Sequence, residues 1–218
     1  VSAVKTSNVD GTFVTYTVTV NKASPTVEVV MPEGGGDDNT YGYTGTPLTF
    51  SGTVKGPGGV TQPVTDGKPS YKYYTDNGGT CGGEIPDGQQ PTNVGSYWVS
   101  AVYSGDGNYA AAESAPVKAT ISPAVLDVTV NNIYKGTYDG HSHDAARGLT
   151  VKGNGQNITG SAAITYATEP DGPYTEGMPQ FKDAGEHTVY YKVNAANYEE
   201  KTGSFTVTIS QAELTITR

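Results

Sequence analysis

The chain has a single cysteine, Cys81, so no intramolecular disulfide can form and any fold must hold by packing alone. Near absence of cysteine fits an exported bacterial protein. Tryptophan occurs once, methionine twice and phenylalanine four times. Basic residues are outnumbered, 13 against 22, for a net charge of −9. No Lys/Arg cluster interrupts that acidic background, which argues against nucleic acid as a partner and for a soluble surface. No apolar run has the length of a membrane span, and Val1 follows no charged, cleavable leader. Helix-forming runs at a 3.6-residue period are missing too, because Gly and Pro break every stretch that begins one.

What is abundant is glycine (29), tyrosine (16) and proline (13), with Thr and Val spread evenly. That mixture makes strands joined by turns. The length of 218 residues suits two small modules.

Internal repeats bear this out at the sequence level. Thr40-Tyr41-Gly42 matches Thr137-Tyr138-Asp139, and Val54-Lys55-Gly56 matches Val151-Lys152-Gly153. Asn93-Val94-Gly95 runs parallel to Asp183-Ala184-Gly185, and Asn108-Tyr109 to Asn197-Tyr198. The joint Ile121-Ser122-Pro123-Ala124 recurs as Ile209-Ser210-Gln211-Ala212. At the start, Val1-Ser2-Ala3-Val4 repeats Val99-Ser100-Ala101-Val102; near the end, Leu214-Thr215-Ile216 copies Leu126-Asp127-Val128. The expected organisation is a closing hairpin of a preceding module (1–22), module one (23–122), module two (123–210) and the first strand of a following module (211–218). From such partial copies the expectation is a section of a longer polypeptide.

Modules of this size are expected to be immunoglobulin-type sandwiches of about seven short strands. The fold class is therefore all-β: tandem immunoglobulin-like β-sandwich modules in an elongated arrangement. Period-2 patterning places strands at 26–31, 48–55, 70–74, 96–103 and 117–121 in module one. In module two it places them at 126–130, 149–152, 163–167, 187–193 and 204–209. Val27, Val29, Val99 and Ala101 should face inward in module one, with Leu126, Val128, Val189 and Tyr191 in module two. Trp98 then points away from Val99, so either it is a partly exposed surface residue or the register is shifted by one. Pro123 in a joint without a Gly/Ser spacer predicts a stiff connection. Residues Val1 to Val20 read as a hairpin turning at Asp10-Gly11, and such a hairpin needs a partner. The expected contact is with module one, or end to end between molecules through this hairpin and the unpaired strand Leu214 to Thr217.

Tyr103-Ser104-Gly105-Asp106-Gly107-Asn108-Tyr109 resembles the Y-x-G-D-x-N-Y signature that closes many bacterial Ig-like repeats. Thr137-Tyr138-Asp139-Gly140 is similar to the YDG opening of MBG-type repeats. Module two replaces the Gly-Asp pair of the first signature with Asn194-Ala195-Ala196. The resemblance implies stalk or adhesion modules of Gram-positive and other bacterial surface proteins, exported and usually anchored to a cell wall, without an active site.

Candidate chemistry is sparse. Cys81 in Thr80-Cys81-Gly82-Gly83-Glu84 superficially fits an internal thioester motif, but Glu84 stands where that motif has Gln; a loop residue is the plainer reading. His141-Ser142-His143-Asp144 could ligate a metal, though a closed site needs a further ligand and only His187 remains. Asp37-Asp38-Asn39 and Asp106-Gly107-Asn108 lack regular calcium-loop spacing and suit tight turns. No Gly-x-Ser-x-Gly elbow occurs, Gly153-Asn154-Gly155 does not continue as a dinucleotide loop, and Glu199-Glu200 alone says nothing of glycoside cleavage. Tyr71, Tyr73, Tyr74, Tyr190 and Tyr191 could form a sugar-stacking face, although alternation sends half of them inward. The reading is a non-catalytic stalk and adhesion section, not an enzyme, with no catalytic, cofactor-binding or metal residues and no cofactor. It would be extracellular, at the cell surface or secreted, with a host or glycan ligand unidentified. The alternative is a pair of carbohydrate-binding accessory modules of a secreted glycan-active enzyme.

Overall fold

The computed structural model describes residues 2–9, 12–36, 38–59, 69–86 and 89–216, with side chains from Thr17 onward. Asp10-Gly11, Asp37 and Thr217, which figure among the expectations above, lie outside the described residues. Among those described there is no α-helix; apart from two short 3-10 turns at Pro57–Gly59 and Thr159–Ser161, the regular structure is strand. The all-β immunoglobulin-like sandwich class stands.

The chain divides into two compact units. The first comprises Val1–Tyr41, Pro47–Pro91 and Gly95–Thr120; the second comprises Gly42–Thr46, Thr92–Val94 and Ile121–Arg218.

In the first unit a two-stranded sheet, Thr26–Val30 with Ser51–Lys55, faces a larger one. The larger sheet runs Thr40–Gly42, Val117–Ser122, Gly95–Tyr103, Ser70–Asn77, Thr80–Glu84, with Ala112–Glu113 added against Gly95–Tyr103. Between the sheets Val27 and Val54 pack with Ala101 and Tyr103, and Tyr41, Phe50, Tyr73, Val99 and Ala119 form a second buried cluster. Separately, Ser2–Val9 pairs antiparallel with Thr12–Thr19, the terminal hairpin the repeat pattern predicts.

In the second unit Leu126–Val130, Leu149–Gly153 and Gln156–Asn157 form one sheet. Lys135–Thr137, Lys201–Ser210, Gly185–Asn194 and Ala163–Ala167 form the other. Leu126, Leu149 and Val151 from the first sheet and Val189, Val193, Phe205, Val207 and Ile209 from the second share one core. This is a two-layer sandwich in which each long strand buries every second residue.

The predicted inward set is correct. Val27, Val99, Ala101, Leu126, Val189 and Tyr191 are buried, and Val29 and Val128 pack against the cores half-buried. Trp98 lies on the outer face, half-buried, so the register needs no shift. The long strands fall where alternation puts them; most ends match or extend by one to three residues, while the strand expected at 48–55 begins only at Ser51 and the one expected at 26–31 ends at Val30. Short ones escaped: Thr40–Gly42, Thr80–Glu84, Ala112–Glu113, Lys135–Thr137, His143–Asp144, Gln156–Asn157 and Gln180–Phe181. Two or three residues carry no period, and Thr80–Glu84 has two glycines and no apolar alternation. It is held as a hairpin partner of Ser70–Asn77 through Gly78 and Gly79, both at positive φ (62° and 90°).

The repeat register also needs one correction. Tyr138 donates its backbone N–H to Ser210 O (2.8 Å) as Tyr43 does to Ser122 O (2.9 Å), so Tyr138 corresponds to Tyr43 rather than Tyr41. A two-residue slip preserves strand faces and leaves the motif match superficially intact.

Tyrosine and glycine abundance have a joint explanation. Tyr191 sits opposite Gly203 in the ladder, and a Cβ on Gly203 would collide with the Tyr191 ring. A Cβ on Gly153 would collide with the ring of Tyr198 in the same way. In a chain poor in phenylalanine, tyrosine rings laid over bare glycine backbone supply part of the core.

Candidate functional site

Three arrangements gather polar or aromatic chemistry. The first is the outer face of the larger sheet in the first unit. Tyr74 and Trp98 are directly opposed across the ladder. The Trp98 indole N–H donates to Asp76 Oδ1 (2.8 Å), and Lys118 Nζ lies 3.6 Å from that same oxygen. Beside them Ser100, fully buried despite facing outward, donates its hydroxyl to Glu113 Oε1 (2.6 Å). Tyr74 donates to the same oxygen (3.0 Å), and Lys72 Nζ approaches Glu113 Oε2 (3.5 Å) and Glu84 Oε2 (3.9 Å).

These donors set the electrostatics. The Ser100 hydroxyl, with Tyr74 and Lys72 behind it, holds the Glu113 carboxyl below its ordinary 4.5. The Trp98 and Gly79 N–H groups do the same for Asp76 below 3.8. A carboxylate with a lowered folded-state pKa contributes stability that is present above its unfolded pKa and lost as pH falls through the folded one. The melting temperature should therefore hold between about pH 7 and 5 and drop below about pH 4. Ser100→Ala should narrow its gap to the unsubstituted chain in acid. Thermal melts at successive pH values test this, and a constant melting temperature down to about pH 2.5 contradicts it.

The second arrangement is a backbone clasp that occurs once in each unit. In the first, Ala23 N–H donates to Asn108 O and Ala110 N–H to Ala23 O, both 2.9 Å. Asp106 organises that turn by accepting from the N–H groups of Asn108 (2.7 Å) and Tyr109 (2.8 Å), which lower its pKa. In the second, Ala124 N–H donates to Asn197 O (3.1 Å) and Glu199 N–H to Ala124 O (2.8 Å). Asn197, at φ 70°, turns its side chain outward: its Oδ1 accepts from Val94 N–H (2.9 Å) and its Nδ2 donates to Asn93 Oδ1 (3.1 Å). Tyr43 meets the Tyr198 ring edge-on at 5.4 Å, and Asn154 Nδ2 donates to Tyr43 O (3.2 Å). All of these residues belong to the second unit.

The third lies on the second unit's short sheet, where His143 opposes Phe181. His143 stacks on Tyr134 (4.2 Å) and His187 on Phe181 (4.4 Å). His143 Nε2 contacts both Asp139 oxygens (3.0 and 3.1 Å), while His187 Nε2 bonds Asp183 O (2.8 Å). The imidazoles face aromatic rings and local acceptors. Among the described residues no three His, Cys, Asp or Glu side chains converge as metal ligands.

The remaining sequence candidates resolve as follows. Cys81 is exposed on the edge strand Thr80–Glu84, and Glu84 faces Lys72. Asp106 serves its own turn, and the carboxamide of Asn194 donates to Glu200 (3.0 Å). Asn154 and Gly155, at φ 49° and 77°, make the tight turn after Leu149–Gly153. The tyrosine face is not assembled as a platform: Tyr73 and Tyr191 are buried, Tyr71 packs on the core, and Tyr74 and Tyr190 are half-buried. Sequence reasoning missed Asp76, Ser100, Glu113 and Asp139. Only strand register, which sets Tyr74 against Trp98 and brings Glu113 beside Ser100, assembles the first three.

No family model matches the chain, and no curated protein matches it in sequence. Among solved structures it is similar to mouse cadherin-23 EC22-24, at 15% identity and TM-score 0.28, covering 88% of this chain and 68% of that one. It is also similar to Drosophila N-cadherin EC1-4 (10% identity, TM-score 0.29, 95% and 57% covered). A third is protocadherin gamma B2 domains 3-6 (9% identity, TM-score 0.28, 95% and 56% covered). The chain thus spans about two thirds of the first and little more than half of the other two. Among the described residues no helix is long and apolar enough to cross a membrane.

Proposed function

We propose that this chain is a non-catalytic section of a stalk and adhesion array on a bacterial cell surface or in a secreted protein. The observation that carries the reading is the duplicated clasp: Ala23 with Asn108 and Ala110, Ala124 with Asn197 and Glu199. Two sandwiches that close the same way, each seating its first strand on its last turn, are repeats of a building block rather than a scaffold shaped around one cleft. The dense polar groups are committed to structure. Asp76, Asp106 and Glu113 each accept hydrogen bonds from groups of their own unit.

Antibody raised against the purified chain should label intact cells of the source organism, and mild protease treatment of those cells should release it. Labelling that appears only after lysis would falsify the surface assignment.

The carbohydrate-binding reading has one feature in its favour. Trp98 and Tyr74 stand side by side on an outer sheet face, flanked by Lys72, Lys118 and carboxylates of opposite sign. That face, not the Tyr71-Tyr73 pair, is where a sugar ring would stack.

A further inference from the structure

We propose that the groove formed by Tyr138, Asp183, Ala184 and the Gln211–Leu214 segment is a socket for the Asn-Tyr turn of a further sandwich module. That module would have Ala212 at the head of its first strand. The inference rests on the tandem-array reading and adds to it a specific docking chemistry.

The second unit contains the same socket twice. In the filled copy, Tyr43, Asn93, Val94 and Ala124 hold Asn197-Tyr198 through a ring edge, a side-chain donor-acceptor pair and a backbone clasp. In the open copy each holder has its counterpart. Tyr138 corresponds to Tyr43 by its bond to Ser210 O, and Ala212 corresponds to Ala124 by the repeated joint. Asp183-Ala184-Gly185 corresponds to Asn93-Val94-Gly95, and the two glycines share an unusual backbone angle, φ 152° and 153°. The chemistry carries over as well. Asn93 accepts from the Asn197 amide through an oxygen, which the Asp183 carboxylate also provides, and Ala184 keeps the backbone N–H that Val94 uses. The turn that fits must therefore present a carboxamide, able to donate and accept at once.

Exposure marks the open copy as the lip of an interface. Leu214 and Ile216 are 87% and 84% exposed, whereas Leu126, at the repeat position of Leu214, is 4% exposed. Tyr138 is 41% exposed. Gln211–Ile216 belongs to no strand of the structure, and an alternating apolar segment of this kind becomes a stable strand only when paired.

The two sandwich turns of a second copy of this chain are poor occupants. Its Asn108 and Ala110 groups are already engaged by its own Ala23, and its Asn197 and Glu199 by its own Ala124. A further module that lacks a first strand of its own, and takes Ala212–Ile216 as that strand, has a turn free to clasp.

The test uses the full chain lengthened with its own second module: residues 1–214 followed directly by 127–218, so that Leu214 takes the place of Leu126. Amide exchange at Ala212 should slow by about tenfold or more relative to the 218-residue chain. Tyr138→Ala, and separately Asp183→Ala, should reverse most of that slowing while leaving the melting temperature of the unextended chain unmoved. Tyr43→Ala in the filled copy serves as the positive control. Slow exchange at Ala212 that ignores both substitutions would overturn the socket and leave the tandem array standing. Ala212 exchanging as fast as before, whether the added module folds or not, would overturn both.

Discussion

Phe205→Ala should destabilise the second unit by about 3–5 kcal/mol. Phe205 is 7% exposed and sits opposite Val189 in the ladder between Gly185–Asn194 and Lys201–Ser210, with Val207 and Ile209 continuing the same inward row. Val189, Val193 and Val207 around it are fully buried, so the strand backbones that carry them cannot collapse into the space the ring leaves. The cost is then lost transfer free energy plus a cavity. Thr206→Ala, one residue on and exposed on the opposite side, should stay within about 0.5 kcal/mol. Because the chain's one tryptophan lies in the first unit, tryptophan fluorescence does not report this loss directly. Urea unfolding followed by amide exchange at Val189 and Val207 does. A Phe205→Ala chain as stable as the parent by that measure would show that this core is not the one described.

Tyr73→Ala and Tyr74→Ala, neighbours in one strand, should differ severalfold in cost. Tyr73 is buried in the cluster of Tyr41, Phe50, Val99 and Ala119, its ring tilted against Phe50 at 5.9 Å, and its removal should cost about 3–5 kcal/mol. Tyr74 points to the outer face, where its hydroxyl bonds Glu113 (3.0 Å), and its loss should cost about 1 kcal/mol. Trp98, next to Tyr74 in the same unit, makes fluorescence-monitored unfolding the natural probe. The pair also separates the two functional readings. Reproducible glycan binding abolished by Tyr74→Ala or Trp98→Ala in a folded chain would favour the accessory-module reading. Binding lost only with Tyr73→Ala reports unfolding. Equal costs for the two tyrosines would mean that the faces of this strand are not distinguished as the structure has them.

The contrast between these tyrosines is also where sequence legibility ends. That Tyr73 shares a face with Tyr71, and Tyr74 does not, follows from alternation alone. That Tyr74 meets Trp98, and that Ser100 is sealed under Tyr74 and Glu113, depends on how Ser70–Asn77 and Ala112–Glu113 register against Gly95–Tyr103. Register is a non-local quantity, and nothing in Ala112–Glu113, two residues long, announces it. The short strands escaped for the same reason: His143–Asp144 and Gln180–Phe181 pair Asp144 with Gln180, 36 positions apart along the chain. The repeat match of Tyr138 to Tyr41 went astray because similar residues two apart share a strand face, and only the bonds to Ser122 and Ser210 discriminate.

By itself, the sequence determined the all-β class, the sandwich-sized repeats, the inward rows and the terminal hairpin, since each depends on local composition or on side chains alternating every second residue. Tertiary structure alone decided the two clasps, the polar network around Glu113, the placing of tyrosine rings on bare glycines and the open groove at Tyr138. All of these require backbone segments distant along the chain to meet at hydrogen-bonding distance, and chain order does not encode those distances.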